Sequence, residues 1–191
     1  MNDPEPVMHE RPWAPIERAL LLTGVAGVGK STVAAAAGGV LAAAGHVTAV
    51  VDTDMLAQFG PAPAAHGRSG QFYDELKCAN LAAVWANFSA AGARFIVVAA
   101  VIESVALREW YAESLAGCDV RLVRLTADDE TVRSRLRRRD TGPKLDRHLG
   151  ALDQYDRAPA APPVEDFAIV NDRSAVDVAK DVLVRAGWMT S

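Results

Sequence analysis

Cysteine is scarce in this chain. Cys78 and Cys118 are the only two, they form no Cys-x-x-Cys pair, and a disulfide scaffold or a cysteine zinc site would need more. The four histidines, His9, His46, His66 and His148, are scattered without metal-ligand spacing, so a dedicated zinc site has no support. Long apolar runs are missing too: the longest, Phe95 to Ile102, is far short of a bilayer span. A net charge of −4 supplies no overall basic field to gather nucleic acid or anionic lipid. The first residues lack a basic segment followed by an apolar core. Together these absences lead us to expect a reduced, cytoplasmic protein with neither nucleic acid nor membrane as partner; nothing in the sequence fixes the oligomeric state. Disorder is equally disfavoured, because half of the 191 residues are hydrophobic and 23% are charged, a balance that suits one α/β domain.

What the sequence does have is Gly24-Val25-Ala26-Gly27-Val28-Gly29-Lys30-Ser31-Thr32, set between the apolar run Ala19 to Leu22 and the alanine-rich stretch Val33 to Ala44. Strand, glycine loop, helix is the order that a phosphate-binding loop requires. Several backbone N–H groups must converge on the phosphates, and Gly24, Gly27 and Gly29 allow the close approach and positive φ that this demands. The helix start adds unpaired N–H groups and the positive end of its dipole. Lys30 brings an ammonium to the β- and γ-phosphates, and Ser31 brings a hydroxyl to Mg²⁺. The expected ligands are therefore ATP and Mg²⁺.

The rest alternates strands with helices. Residues 1–17, with four prolines among charges, read as a flexible extension; Trp13 is its one candidate for packing onto the domain of residues 18–191. Strands are expected at Ala19–Leu22, Val47–Val51, Arg94–Ile102, Val120–Leu125 and Phe167–Val170. Helices are expected at Val33–Ala44, Tyr73–Ala91, Ser104–Leu115, Ala127–Arg139, Leu145–Arg157 and Ala175–Ala186. Gly38-Gly39 inside the first helix would let it sit close to the sheet. Thr126 to Asp129 reads as a capping box for the helix at Ala127–Arg139, and Ser174 with Asp177 caps the last. Pro159 to Pro163 reads as a linker-like loop. This alternation predicts an α/β fold with a parallel sheet covered on both faces.

Asp52 and Asp54 follow the second strand, and at i and i+2 of a strand they would share a face. A hydroxyl attacking a γ-phosphoryl group must be oriented and lose its proton near a charge-neutralising metal, which paired carboxylates can arrange. Asp54 is the candidate for the acceptor and Asp52 for Mg²⁺. Arg135, Arg138 and Arg139, three and four residues apart, share a helix face.

In these features, namely the loop Gly24 to Ser31, the acidic pair, and the arginine-rich helix followed by Asp140-Thr141-Gly142, the chain resembles the small P-loop kinases. That group includes adenylylsulfate, shikimate and gluconate kinases and is related to nucleotide monophosphate kinases. The resemblance covers about Ala19 to Trp188. It implies a three-layer sandwich with a five-stranded parallel sheet in the order 2-3-1-4-5. It also implies an arginine-rich lid in which Arg135 and Arg138 meet the transferring phosphoryl group and Arg139 the nucleotide. Glu103, the first acid after the third strand, is implied as a holder of metal-bound water. The expected reaction is phosphorylation of a small-molecule hydroxyl by ATP. A nucleoside or nucleotide monophosphate kinase is the near alternative, and a P-loop NTPase with a macromolecular partner is the alternative of another class. A GTP switch is disfavoured by the lack of Asn-Lys-x-Asp. The run Met55 to Pro61 does not reproduce the asparagine and arginine pattern of adenylylsulfate kinases, so the acceptor goes unnamed. Arg68, Lys77 and Asn80 are candidates to bind it, and Phe72, Tyr73, Trp85 and Trp110 to wall its pocket, although most of these aromatics suit a core better.

Overall fold

The computed structural model describes residues 16–61, 63, 69–157 and 162–190. Five strands, β1 (Glu17–Thr23), β2 (Thr48–Asp52), β3 (Phe95–Ala99), β4 (Cys118–Thr126) and β5 (Phe167–Val170), form one sheet in the order β2-β3-β1-β4-β5. Every pairing is parallel. The helices are α1 (Lys30–Ala43), α2 (Thr53–Leu56), α3 (Ser69–Ala90), α4 (Val105–Ser114), α5 (Asp129–Arg139), α6 (Gly142–Arg157) and α7 (Ala175–Arg185). This is the expected three-layer sandwich.

Period-two alternation along fully covered strands builds a core on each face. Leu20 and Leu22 of β1 pack with Val97, Val123 and Ile169 under Val33 and Leu41 of α1 and Val178 and Val182 of α7. Leu21, between them, points the other way and packs with Ile96, Val98 and Leu122 under Leu81 and Trp85 of α3 and Tyr111 of α4. Trp85 is thus a core residue, and Trp110 packs on the same cluster. A third, smaller cluster of Val132, Leu136 and Leu152 joins α5 to α6 and rests against Val25 and Ala26 of the glycine loop. Gly38 is buried where a Cβ would collide with Val50 of β2, so α1 does sit close to the sheet there; Gly39 faces open space.

Several boundaries move for identifiable reasons. The third strand stops at Ala99 because β1 ends at Thr23, whose hydroxyl accepts from Ile102 N (2.9 Å) and turns the chain out of the ladder. The fifth helix is capped by Asp128, whose side chain accepts from Thr131 N, and not by Thr126, which belongs to β4. The α7 cap by Ser174 is as expected. β1 takes in Glu17, where Glu17 Oε1 accepts from Ser89 Oγ and Arg94 Nη1. Trp13, Arg68 and most of the 159–163 loop lie outside the described residues. Among the described residues no helix is long and apolar enough to cross a membrane, and both thiols are free.

Candidate active site

The sheet order places the C-terminal ends of β1, β2 and β3 side by side, and the cleft opens there. Its volume is about 1470 Å³, and it is lined by loop residues Val25, Ala26, Gly27, Gly29, Lys30, Ser31 and Thr32 together with Asp52, Asp54 and Glu103. Arg135, Arg138 and Arg139 line it from α5. Two loop residues stand apart from the cleft wall. Val28 is fully buried in the core, and Gly24 lies behind the loop with its carbonyl turned to Lys30.

Gly24, Gly27 and Gly29 all have positive φ, as a phosphate-binding loop requires. At Gly29 the demand is also steric, since a Cβ there would collide with Asn171 Nδ2. Asn171, buried just after β5, donates through Nδ2 to Val28 O (2.7 Å) and through its backbone N to Thr126 O (2.7 Å). Lys30 Nζ donates to Gly24 O (2.8 Å) and Val25 O (3.1 Å), folded over the loop it serves. Burial pushes its pKa down from 10.5 to about 8, although the charges of Asp54 and Asp52 oppose the shift.

Ser31 Oγ donates to Asp52 Oδ2 at 2.5 Å. A hydroxyl and a carboxylate in contact are hard oxygen donors of the kind Mg²⁺ accepts. Mg²⁺ is commonly held by one or two protein oxygens, with phosphate and water completing its shell. Ser31 and Asp52 therefore fit the ion. Glu103 lines the same cleft, and its charge reaches Lys30.

Asp52 and Asp54 do not share a strand face. Asp52 ends β2 and caps α2, its Oδ1 accepting from Asp54 N (3.0 Å), and Asp54 sits in the first turn of that short helix. Both nevertheless line the cleft, because Thr53 between them is buried and anchored. Its hydroxyl donates to Ala99 O (3.1 Å) and accepts from Tyr111 OH (3.3 Å). Asp54 Oδ1 accepts from Lys77 Nζ at 2.9 Å. Burial favours the neutral acid at Asp54, but the Lys77 hydrogen bond and the charges of Lys77, Lys30 and His148 outweigh it and hold the carboxyl below its usual range. Asn80 Nδ2 donates to Leu56 O (2.6 Å) at the end of α2. Lys77 and Asn80, expected to meet the acceptor, are thus engaged by Asp54 and the backbone.

The arginine face divides in its roles. Arg135 does not extend freely: Nη1 donates to Val28 O (3.2 Å) and Nη2 to Asn171 O (3.1 Å), which ties α5 to the glycine loop. Arg133 bonds Asp129, Asp153 and Asp156 and clamps α5 to α6. Arg138 and Arg139 are exposed along the cleft. The Asp140-Thr141-Gly142 turn after the arginine-rich helix contains a buried carboxylate: Asp140 holds Arg139, Lys144 and His148 at 2.7–3.2 Å. The Arg139 hydrogen bonds, helped by those of His148 and Lys144, overcome its burial and hold its carboxyl well below the usual range. Asp140, Lys144, His148 and Asn171 are not marked as site residues by the sequence pattern. For the first three a signal existed, the four-residue spacing Asp140, Lys144, His148, which puts Lys144 and His148 on one stripe of α6 next to the turn that carries Asp140.

A loop with positive-φ glycines, an ammonium above it and a Ser–Asp pair at its end define a P-loop nucleotide-binding fold. The chain belongs to the AAA domain family, whose family model matches residues 20–162. No curated protein sequence matches it. Among solved structures it is similar to the APS kinase CysC of Mycobacterium tuberculosis in complex with AMPPNP and APS. That match has 23% identity and a TM-score of 0.58, over 91% of this chain and 99% of that one. It is also similar to the Deinococcus radiodurans tunicamycin resistance protein (18%, TM-score 0.58, 91% and 97% covered). A gluconokinase from Sinorhizobium meliloti 1021 matches at 21% identity and TM-score 0.54, with 91% and 95% covered. At these identities the likeness shows the fold.

Proposed function

We propose that the protein is an ATP-dependent phosphotransferase that moves the γ-phosphoryl group onto a hydroxyl of a small molecule. The observation that carries this reading is the Ser31–Asp52 contact at 2.5 Å, with Asp54 at the start of the next helix in the same cleft as Lys30. One carboxylate belongs to the metal and phosphate end, and the other faces the acceptor. Mg²⁺, held by Ser31 and Asp52, would supply charge neutralisation at the phosphates. Lys30 would move from the loop carbonyls to the β- and γ-phosphates. Asp54, ionised by its Lys77 partner, is a weak base, so its main task is to accept the acceptor's O–H hydrogen bond and aim the oxygen. In a loose transition state the new O–P bond forms as the bond to the β-phosphate oxygen breaks, ADP leaves, and the proton passes late to Asp54 and then to solvent.

The acceptor we favour carries no phosphate of its own. Lys77 and Asn80 are not part of the cleft lining: Lys77, with its side chain only 16% exposed, is held by Asp54, and Asn80 is held by the Leu56 carbonyl, so neither is presented to a second phosphate. APS and gluconate are associated with two of the structural neighbours, and the low identities carry neither substrate over to this chain. We place the reaction in a reducing compartment, in keeping with the two free thiols. Incubation with ATP, Mg²⁺ and a panel of uncharged polyols, amino alcohols, sugar acids and nucleoside monophosphates, read by mass spectrometry, tests the reading. A phosphoryl adduct on an uncharged or amino-bearing alcohol is expected. Diphosphate products from nucleoside monophosphates would favour the near alternative, and no adduct on any member would refute the small-molecule reading.

A further inference from the structure

Asp140 ends α5 with a side chain that has no solvent exposure, yet it gathers three side chains from the cleft wall. Arg139 forks onto it, Nε at 3.2 Å from both carboxylate oxygens and Nη2 at 2.8 Å from Oδ2. Lys144 Nζ lies 3.0 Å from Oδ1, and His148 Nδ1 lies 2.7 Å from Oδ2, which requires its proton on Nδ1. An ammonium and a guanidinium drawn this close repel each other, so the cluster depends on the carboxylate between them. Each cation remains more than half exposed, Arg139 at 53% and Lys144 at 58%. Each also has donors left over, since a guanidinium has five N–H groups and an ammonium three. Both line the cleft that holds Lys30, Ser31 and Asp52.

We propose that Asp140 is a positioning residue that sets Arg139 and Lys144, braced by His148, as a two-pronged cationic clamp for the terminal phosphate of the bound nucleotide. This rests on the kinase reading. Net charge and arrangement make opposite predictions for the cluster. If only net charge mattered, neutralising Asp140 would leave the wall more positive and tighten binding of a triphosphate. If arrangement matters, the same change scatters the cations and weakens it, because charge-assisted hydrogen bonds depend on direction.

Isothermal titration of the full chain with Mg²⁺–AMPPNP and Mg²⁺–ADP separates them through the ratio of the two affinities. In the native sequence AMPPNP should bind more tightly than ADP. In Asp140→Asn that preference should fall roughly tenfold while ADP binding holds within about twofold. Arg139→Lys, an exposed and charge-conserving change that loses the fork, should lower the preference several-fold. If Asp140→Asn shows no cooperative thermal transition, Arg139→Lys decides the matter alone. An unchanged or increased preference in the folded variants overturns the clamp. Equal affinity of the native protein for both nucleotides also overturns it and leaves the kinase reading standing. Undiminished binding of both nucleotides by Lys30→Ala would instead overturn the nucleotide site, and the clamp with it.

Discussion

Lys30 offers a proton count that can be predicted from its position. Its ammonium sits over the loop, and burial lowers its pKa from 10.5 to about 8 despite the nearby Asp54 and Asp52. A polyphosphate chain brings enough negative charge to return the pKa to or above its ordinary value, so binding above pH 8 should draw a proton from buffer. With a pKa of about 8 the side chain is ~10% deprotonated at pH 7 and ~90% at pH 9, so uptake should rise from about 0.1 to about 0.9 proton per nucleotide. Affinity should fall by up to tenfold per pH unit above pH 8, about 1.4 kcal/mol for each unit. The assay is calorimetric titration with Mg²⁺–AMPPNP in buffers of differing ionisation enthalpy at pH 7 and pH 9, with Lys30→Met, which cannot titrate, as control. The same shift acts on folding in a known direction. Between about pH 8 and 10.5 the free folded protein binds fewer protons than the unfolded chain, so this group's contribution to stability increases with pH across that window. A buffer-enthalpy slope equal at both pH values would refute the reasoning.

Asp54→Asn should cut turnover by at least 10²-fold with nucleotide affinity nearly unchanged, whereas Asp52→Asn, which loses the Ser31 partner, should also raise the Mg²⁺ concentration needed; steady-state rates at varied Mg²⁺ distinguish them. Gly39→Ala, on an exposed position of α1 with no neighbour for the added methyl, should stabilise the fold by about 0.5–1 kcal/mol in urea unfolding, while Gly38→Ala should destabilise it by driving a Cβ into Val50.

The layers and the sheet were legible because they follow from patterns carried by many residues. Apolar strands alternate with helices along the whole chain, and the resemblance carried by the glycine loop supplied the strand order. The loop itself was legible because a phosphate cradle admits few sequences. The acidic pair was found for a reason that did not survive: Asp54 reaches the cleft from the start of α2, since the anchored hydroxyl of Thr53 ends the strand at Asp52. What escaped were contacts between residues far apart in sequence. Arg135 had to be seen beside Val28 and Asn171 before its hold on the loop could be known, for the spacing of the arginines says only which of them share a face. Asp140 was passed over as a site residue because short-range rules describe a turn well and a buried ion cluster poorly, although the four-residue spacing to Lys144 and His148 was present.

Transfer to a hydroxyl is the central claim, and the most direct measurement follows the γ-phosphoryl group itself. ATP labelled at the γ-phosphorus, with Mg²⁺ and the pooled panel of hydroxylated small molecules, should deliver most of its label to an organic phosphate, and release to water without the panel should be slow. Rapid release of labelled inorganic phosphate at the same rate with and without the panel, and no labelled organic product, would contradict the claim and leave an NTPase in its place.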